Sequence, residues 1–78
     1  MYKAIQSVKP LKNYQLELRF ENGEEKIFNM ESYLNHGIFK ELKDETLFQT
    51  VHVSFDSIEW ENGADLDPEI LYHESVLK

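Results

Sequence analysis

The chain contains no cysteine. Disulfides, thiolate metal centres and a cysteine nucleophile are therefore excluded. It has only three glycines, at positions 23, 37 and 63, and two prolines. A glycine-rich phosphate loop cannot be assembled from glycines that are each used at a separate turn. No apolar run approaches the ~18 residues of a membrane span. The opening stretch MYKAIQSVKPLKNY lacks the apolar core of a secretion signal, so the expected location is the cytoplasm. Basic side chains are also scarce: eight, against fifteen acidic ones, for a net charge of −7.

What charge there is lies unevenly. Residues 1–20 carry four cations and one carboxylate, whereas residues 21–78 carry four cations and fourteen carboxylates. Seven of those carboxylates fall between Asp56 and Glu74, with no Lys or Arg among them. Such a surface repels phosphate backbones, so direct nucleic-acid binding is not expected, and four cations near the start do not reverse that. An acidic stretch of this kind either keeps the protein in solution or docks a basic partner.

What is present is an aromatic-rich core: hydrophobic residues make up 41% of the chain and aromatics 13%. The length, 78 residues, predicts a single domain over 1–78. A domain this small buries roughly 60–65% of its unfolded surface, so a homodimer through an unpaired sheet edge would help it.

Periodicity predicts an α+β fold, with a small antiparallel sheet from two hairpins, short intervening helices and a C-terminal helix. Ala4 to Val8 reads as a first strand, ended by a turn at Pro10 and Lys12-Asn13. In YQLELRF, Tyr14, Leu16, Leu18 and Phe20 alternate with Gln15, Glu17 and Arg19, the pattern of a half-buried strand. Asn22-Gly23 is a favoured hairpin pair. A two-residue loop sets Leu18 against Ile27 and Arg19 against Lys26. A three-residue loop sets Leu18 against Lys26 and Arg19 against Glu25. The first is expected, because apolar burial outweighs an exposed charge pair.

Tyr33 and Leu34 suit a helical turn that stops at Gly37. Ile38, Phe39 and Leu42 suit a second, and Asp44 suits an N-cap for Glu45 to Thr50, burying Leu47 and Phe48. HVSF and SIEW read as two strands split at Asp56-Ser57. The second Glu-Asn-Gly, at residues 61–63, is expected to lead from strand straight into helix. Asp67 stands at the N-cap and Pro68 at the first helical position, where a missing N–H costs nothing. Leu66, Ile70, Leu71 and Leu77 are then placed to pack inward.

Motifs for chemistry are weak. Asp65, Asp67 and Glu69 alternate like the start of a calcium loop, but Ile70 and Val76 stand where that loop needs glycine and glutamate. His36, His52 and His73 have no metal-ligand spacing. None of Ser7, Ser32, Ser54, Ser57 or Ser75 sits in a nucleophile turn. Neither metal, nor cofactor, nor catalytic residue is expected, and the protein is read as a non-enzyme. Trp60 is either a core anchor or an exposed hot spot among acids.

The stretches VKPLKNYQLELRFENGEEKIF and WENGADLDPEILY resemble the bacterial and archaeal domain-of-unknown-function family 2442. The likeness runs from about Tyr2 to Tyr72, and Asn29 stands where such proteins often have Asp. The resemblance implies an α+β fold without assigned activity. Because its members are often encoded beside a second small protein, it also implies a paired, antitoxin-like arrangement. No nucleotide-binding motif supports the molybdopterin-biosynthesis label that some members carry.

Two readings follow. One is a protein-interaction module that binds a basic protein partner through Glu59, Trp60, Glu61, Asp65 and Asp67, with Trp60 flat and exposed. The other is a small-molecule or metal-binding protein that uses the turn from Asn62 to Asp65.

Overall fold

The computed structural model describes residues 4–78. Lys3, one of the four cations of the basic opening stretch, lies outside them. The strands are β1 (Ile5–Leu11), β2 (Gln15–Phe20), β3 (Glu25–Asn29), β4 (His52–Ser54), β5 (Ser57–Glu59), β6 (Asp65–Leu66) and β7 (Val76–Leu77). The helices are α1 (Glu45–Phe48) and α2 (Pro68–Glu74), with short 3₁₀ segments at Lys12–Tyr14, Glu31–Tyr33 and Gly37–Lys43. Fold class is as expected, α+β with antiparallel pairing throughout. The layout differs from one sheet of two hairpins. Among the described residues there are two sheets, one of four strands in the order β1-β2-β3-β7 and one of three in the order β4-β5-β6.

Leu16, Leu18 and Phe20 of β2 are fully buried, as their alternation requires. They meet Phe28, Met30, Leu34, Leu42, Phe48, Ile58, Trp60 and Leu71 in one core shared by both sheets. Each such side chain contributes roughly 1.5–3 kcal/mol by leaving water. Tyr14 takes left-handed backbone (φ 58°) beside Asn13 (φ 60°). Its ring packs edge-on against Phe48 at 5.3 Å and its hydroxyl donates to the Lys43 carbonyl, which ties the β1–β2 turn to α1.

The register of the β2–β3 hairpin is the three-residue alternative. Leu18 opposes Lys26 and Arg19 opposes Glu25. The cause lies in the turn. Gly23 N–H donates to the Phe20 carbonyl, Phe20 N–H donates to the Glu24 carbonyl, and Asn22 Oδ1 accepts from Glu24 N–H at 3.0 Å. Gly23 takes φ +91°, while Asn22 keeps negative φ, so this is a type I turn closed by a left-handed glycine. Lys26 thereby faces inward at 9% exposure, and the site accommodates it. Its Nζ lies 3.8 Å from the Tyr72 ring centroid and donates to the Tyr72 carbonyl, in the last turn of α2, at 2.7 Å.

The second Glu-Asn-Gly repeats this turn. Gly63 (φ +91°) donates to the Trp60 carbonyl, Trp60 N–H donates to the Ala64 carbonyl, and Asn62 Oδ1 accepts from Ala64 N–H at 3.0 Å. The chain therefore returns as β6 before α2, and the expected direct step from strand to helix is corrected. The β4–β5 turn sits one residue earlier than the expected break. Phe55 (φ 48°) and Asp56 (φ 69°) are its centre, so Phe55 is not a strand residue.

Gly37 starts a 3₁₀ segment where it was expected to stop a helical turn. Asp44 caps α1 by accepting from Thr46 N–H at 2.9 Å, and Asp67 caps α2 by accepting from Glu69 N–H at 2.8 Å, both as expected. Leu66 and Leu71 pack inward, but Ile70 and Leu77 do not. Leu77 is instead spent on β7, which pairs with β3.

The edges of the four-stranded sheet are blunted. Ile5 N–H is taken by the Asp56 carbonyl, Pro10 has no N–H to offer, and β7 is two residues long. No helix among the described residues is long and apolar enough to cross a membrane.

Two predictions follow from these turns and from the seating of α2. A Cβ at Gly23 or Gly63 meets open space, so only backbone strain opposes it. Gly23→Ala and Gly63→Ala should each cost about 1 kcal/mol in urea unfolding, and the two losses should match. Tyr33 donates to Glu74 Oε1 at 2.5 Å, and this bond, with burial and the nearby negative charge, pushes its pKa from near 10 up to about 12. A raised phenol pKa stabilises the fold below pH ~10 and is lost as pH rises through about 12. Glu74→Gln should bring phenolate formation at Tyr33 to lower pH, read by ultraviolet absorbance.

Candidate interaction surface

The small sheet carries the residues on which the acidic reading depends. Along β5 and β6, Ile58 and Leu66 oppose each other and are buried. Their neighbours Glu59 and Asp65 therefore share the other face, directly across from one another. His52 of β4 opposes Glu59 on its other side. Its Nε2 lies 3.6 Å from Glu59 Oε1 and its Nδ1 2.9 Å from the Thr50 carbonyl. The contact with Glu59 is an ion pair only when the imidazole is protonated.

Two like charges placed cross-strand oppose folding by roughly 0.2–1 kcal/mol. Asp67, at the start of α2, brings a third carboxylate to the same place. Glu59, Asp65 and Asp67 are among the residues that border an open groove of about 460 Å³, with Phe55, Ser57, Ile58, Leu66 and Pro68. Ser57 Oγ donates to the Leu66 carbonyl, which fixes the groove floor.

The other two expected contact residues stand elsewhere. Trp60 is 1% exposed, so its proposed role as a surface contact is corrected. Its indole packs on Phe39 and Phe48, and Nε1 donates to the Phe48 carbonyl at 2.9 Å. The reason is that Trp60 forms the closing pair with Ala64, on the same face as the inward Ile58. Glu61 is exposed in the turn, and its N–H donates to Thr50 Oγ1, but its side chain does not line the groove.

The Asn62–Asp65 turn has little to offer a ligand. Gly63 and Ala64 N–H groups are both donated internally, and Asn62 Nδ2 donates to Glu41 Oε1 at 3.1 Å. Ala64 is buried.

Phe55 is the residue that sequence reading missed. It is 98% exposed, on left-handed backbone where Asn and Gly are the usual occupants. Left-handed backbone costs a side chain with a Cβ roughly 1–2 kcal/mol, and a ring left in water forgoes its burial. The signal available was the Phe-Asp pair between two three-residue alternating runs. The alternation of Val53 with Phe55 hid it.

The chain was compared with known proteins. The family model described as "Protein of unknown function (DUF2442)" matches residues 5–76. The chain belongs to the DUF2442 family. No curated protein and no solved structure matched it. In this DUF2442 chain the matched span takes in both Glu-Asn-Gly hairpins, the acidic groove and α2.

The burial of Trp60, the chain's one tryptophan, is directly checkable. Its fluorescence should resist iodide quenching in the native protein and lose that shielding on unfolding. Trp60→Phe should destabilise by on the order of 2 kcal/mol, from lost volume and an orphaned carbonyl.

Proposed function

We propose that this DUF2442 protein is a non-enzymatic protein-interaction module that binds a basic protein partner through Glu59, Asp65 and Asp67. The observation that carries the reading is the cross-strand pairing of Glu59 with Asp65 beside an open groove. Placing two carboxylates opposite each other works against the fold, and a Lys or Arg from a partner relieves it. Apart from His52, 3.6 Å from Glu59 and cationic only when protonated, the neighbouring sequence supplies no competing cation, since Asp56 to Glu74 holds neither Lys nor Arg. Rim carboxylates of this sort act mostly on association rate and partner choice.

A non-enzymatic role is supported by how the polar side chains are used. The Ser57 hydroxyl is committed to a backbone carbonyl, and His52 lies against Glu59 and the Thr50 carbonyl. The antitoxin-like pairing is one form such a module could take, with the acidic groove neutralising a basic protein.

The test uses tagged full-length chain to capture its partner, followed by titration of the purified pair. Glu59→Lys with Asp65→Lys should weaken binding at least tenfold, and wild-type affinity should fall as salt rises. Glu61→Lys, outside the groove, should do much less. Asp65→Asn should raise stability by a few tenths of a kcal/mol while weakening binding. Equal affinity for wild type and the double lysine variant would remove the acidic groove from the account.

A further inference from the structure

We propose that the groove recognises a partner segment in which an apolar side chain stands beside Lys or Arg, and that Phe55 is the apolar half of that recognition. The inference rests on the acidic reading above and adds a second determinant to it.

Phe55 is 98% exposed and holds φ 48°, next to Asp56 at φ 69°. Both are central residues of a two-residue hairpin, where Gly or Asn would fold with less strain. Among the described residues the ring packs against almost nothing. Local rules of this kind are broken at functional sites, where a strained backbone presents a group outward. Phe55 is one of the residues that border the same groove as Glu59, Asp65 and Asp67. An exposed aromatic residue on a groove that carboxylates also border suits a segment with an apolar side chain and a cationic neighbour, through burial and cation–π attraction.

Charge decides the occupant. A phosphate backbone is repelled from an acidic groove, and a second copy, with net charge −7, approaches it against an overall like charge even though Lys9, Lys12 and Arg19 make its opening stretch locally basic. A short basic and apolar segment of another protein is complementary on both counts.

The experiment titrates isotope-labelled full chain with three blocked nine-residue peptides: alternating Lys and Leu, alternating Lys and Ser, and alternating Glu and Leu. The Lys/Leu peptide should shift the amide signals of Phe55, Ser57, Glu59 and Asp65. The Lys/Ser peptide should bind at least tenfold more weakly, and the Glu/Leu peptide should not bind. Phe55→Gly, compatible with this turn, should raise Tm by a few degrees and cut Lys/Leu affinity about tenfold, to that of the Lys/Ser peptide. Phe55→Asn should do the same, so a folding defect cannot imitate the result.

Equal binding of Lys/Leu and Lys/Ser peptides, or unchanged Lys/Leu affinity in Phe55→Gly, overturns the role of Phe55 and leaves the acidic groove standing. Binding of the Glu/Leu peptide overturns the cationic requirement. No perturbation by any peptide overturns both.

Discussion

A left-handed glycine closes both Glu-Asn-Gly hairpins, and the number of loop residues it commits to decides what every flanking side chain faces. Side chains along a strand alternate, so a loop longer by one residue exchanges inside for outside on one strand. With three loop residues, Glu59 falls opposite Asp65 and Ile58 opposite Leu66. With Asn62 and Gly63 alone as the loop, Glu59 would oppose Leu66, and Trp60 would oppose Asp65. The carboxylates would then lie on opposite faces, and one would be driven toward the core. The acidic groove exists because Gly63 adopts φ +91° behind an Asn whose side chain fastens the turn. The same geometry at Gly23 turns Lys26 inward, where the end of α2 receives it.

That dependence explains which parts of the structure were legible in the sequence. The alternation of Leu16, Leu18 and Phe20, the Asp44 and Asp67 caps and the Pro68 helix start are local signals, and each was read correctly because neighbours in sequence decide it. Register is not local in that sense. Choosing between two and three loop residues required knowing that Tyr72, 46 residues from Lys26, offers its carbonyl and ring to that ammonium. The expectation that an inward lysine would be rejected was sound for an unpartnered lysine and failed for this one. The division into two sheets was hidden for a similar reason. β6 and β7 are two residues each, too short to leave a periodic pattern.

Of the candidate site, Glu59, Asp65 and Asp67 were legible as charges, and the structure adds that they meet. Trp60 was misassigned as a contact because a tryptophan among acids looks exposed in a linear reading. In the fold it is the inward member of the pair that closes a hairpin, and the acids on either side of it are outward. Phe55 was lost to the opposite error. An alternating Val-Ser-Phe looks like strand, and only backbone angles distinguish a strand residue from the centre of a tight turn.

Two features of the small sheet lower its own stability: the opposed carboxylates and the aromatic ring on left-handed backbone. Either one alone could be a tolerated accident in a protein that folds with a margin of a few kcal/mol. Their coincidence on one groove is harder to treat that way, because they are complementary in chemistry and independent in origin. One comes from register and the other from turn type. Both would be relieved by commonplace substitutions, Asn at position 65 and Gly at position 55. Register sets Glu59 against Asp65, with His52 3.6 Å from Glu59, and turn type leaves Phe55 in solvent on the same groove, which together are the features that the proposed docking surface requires.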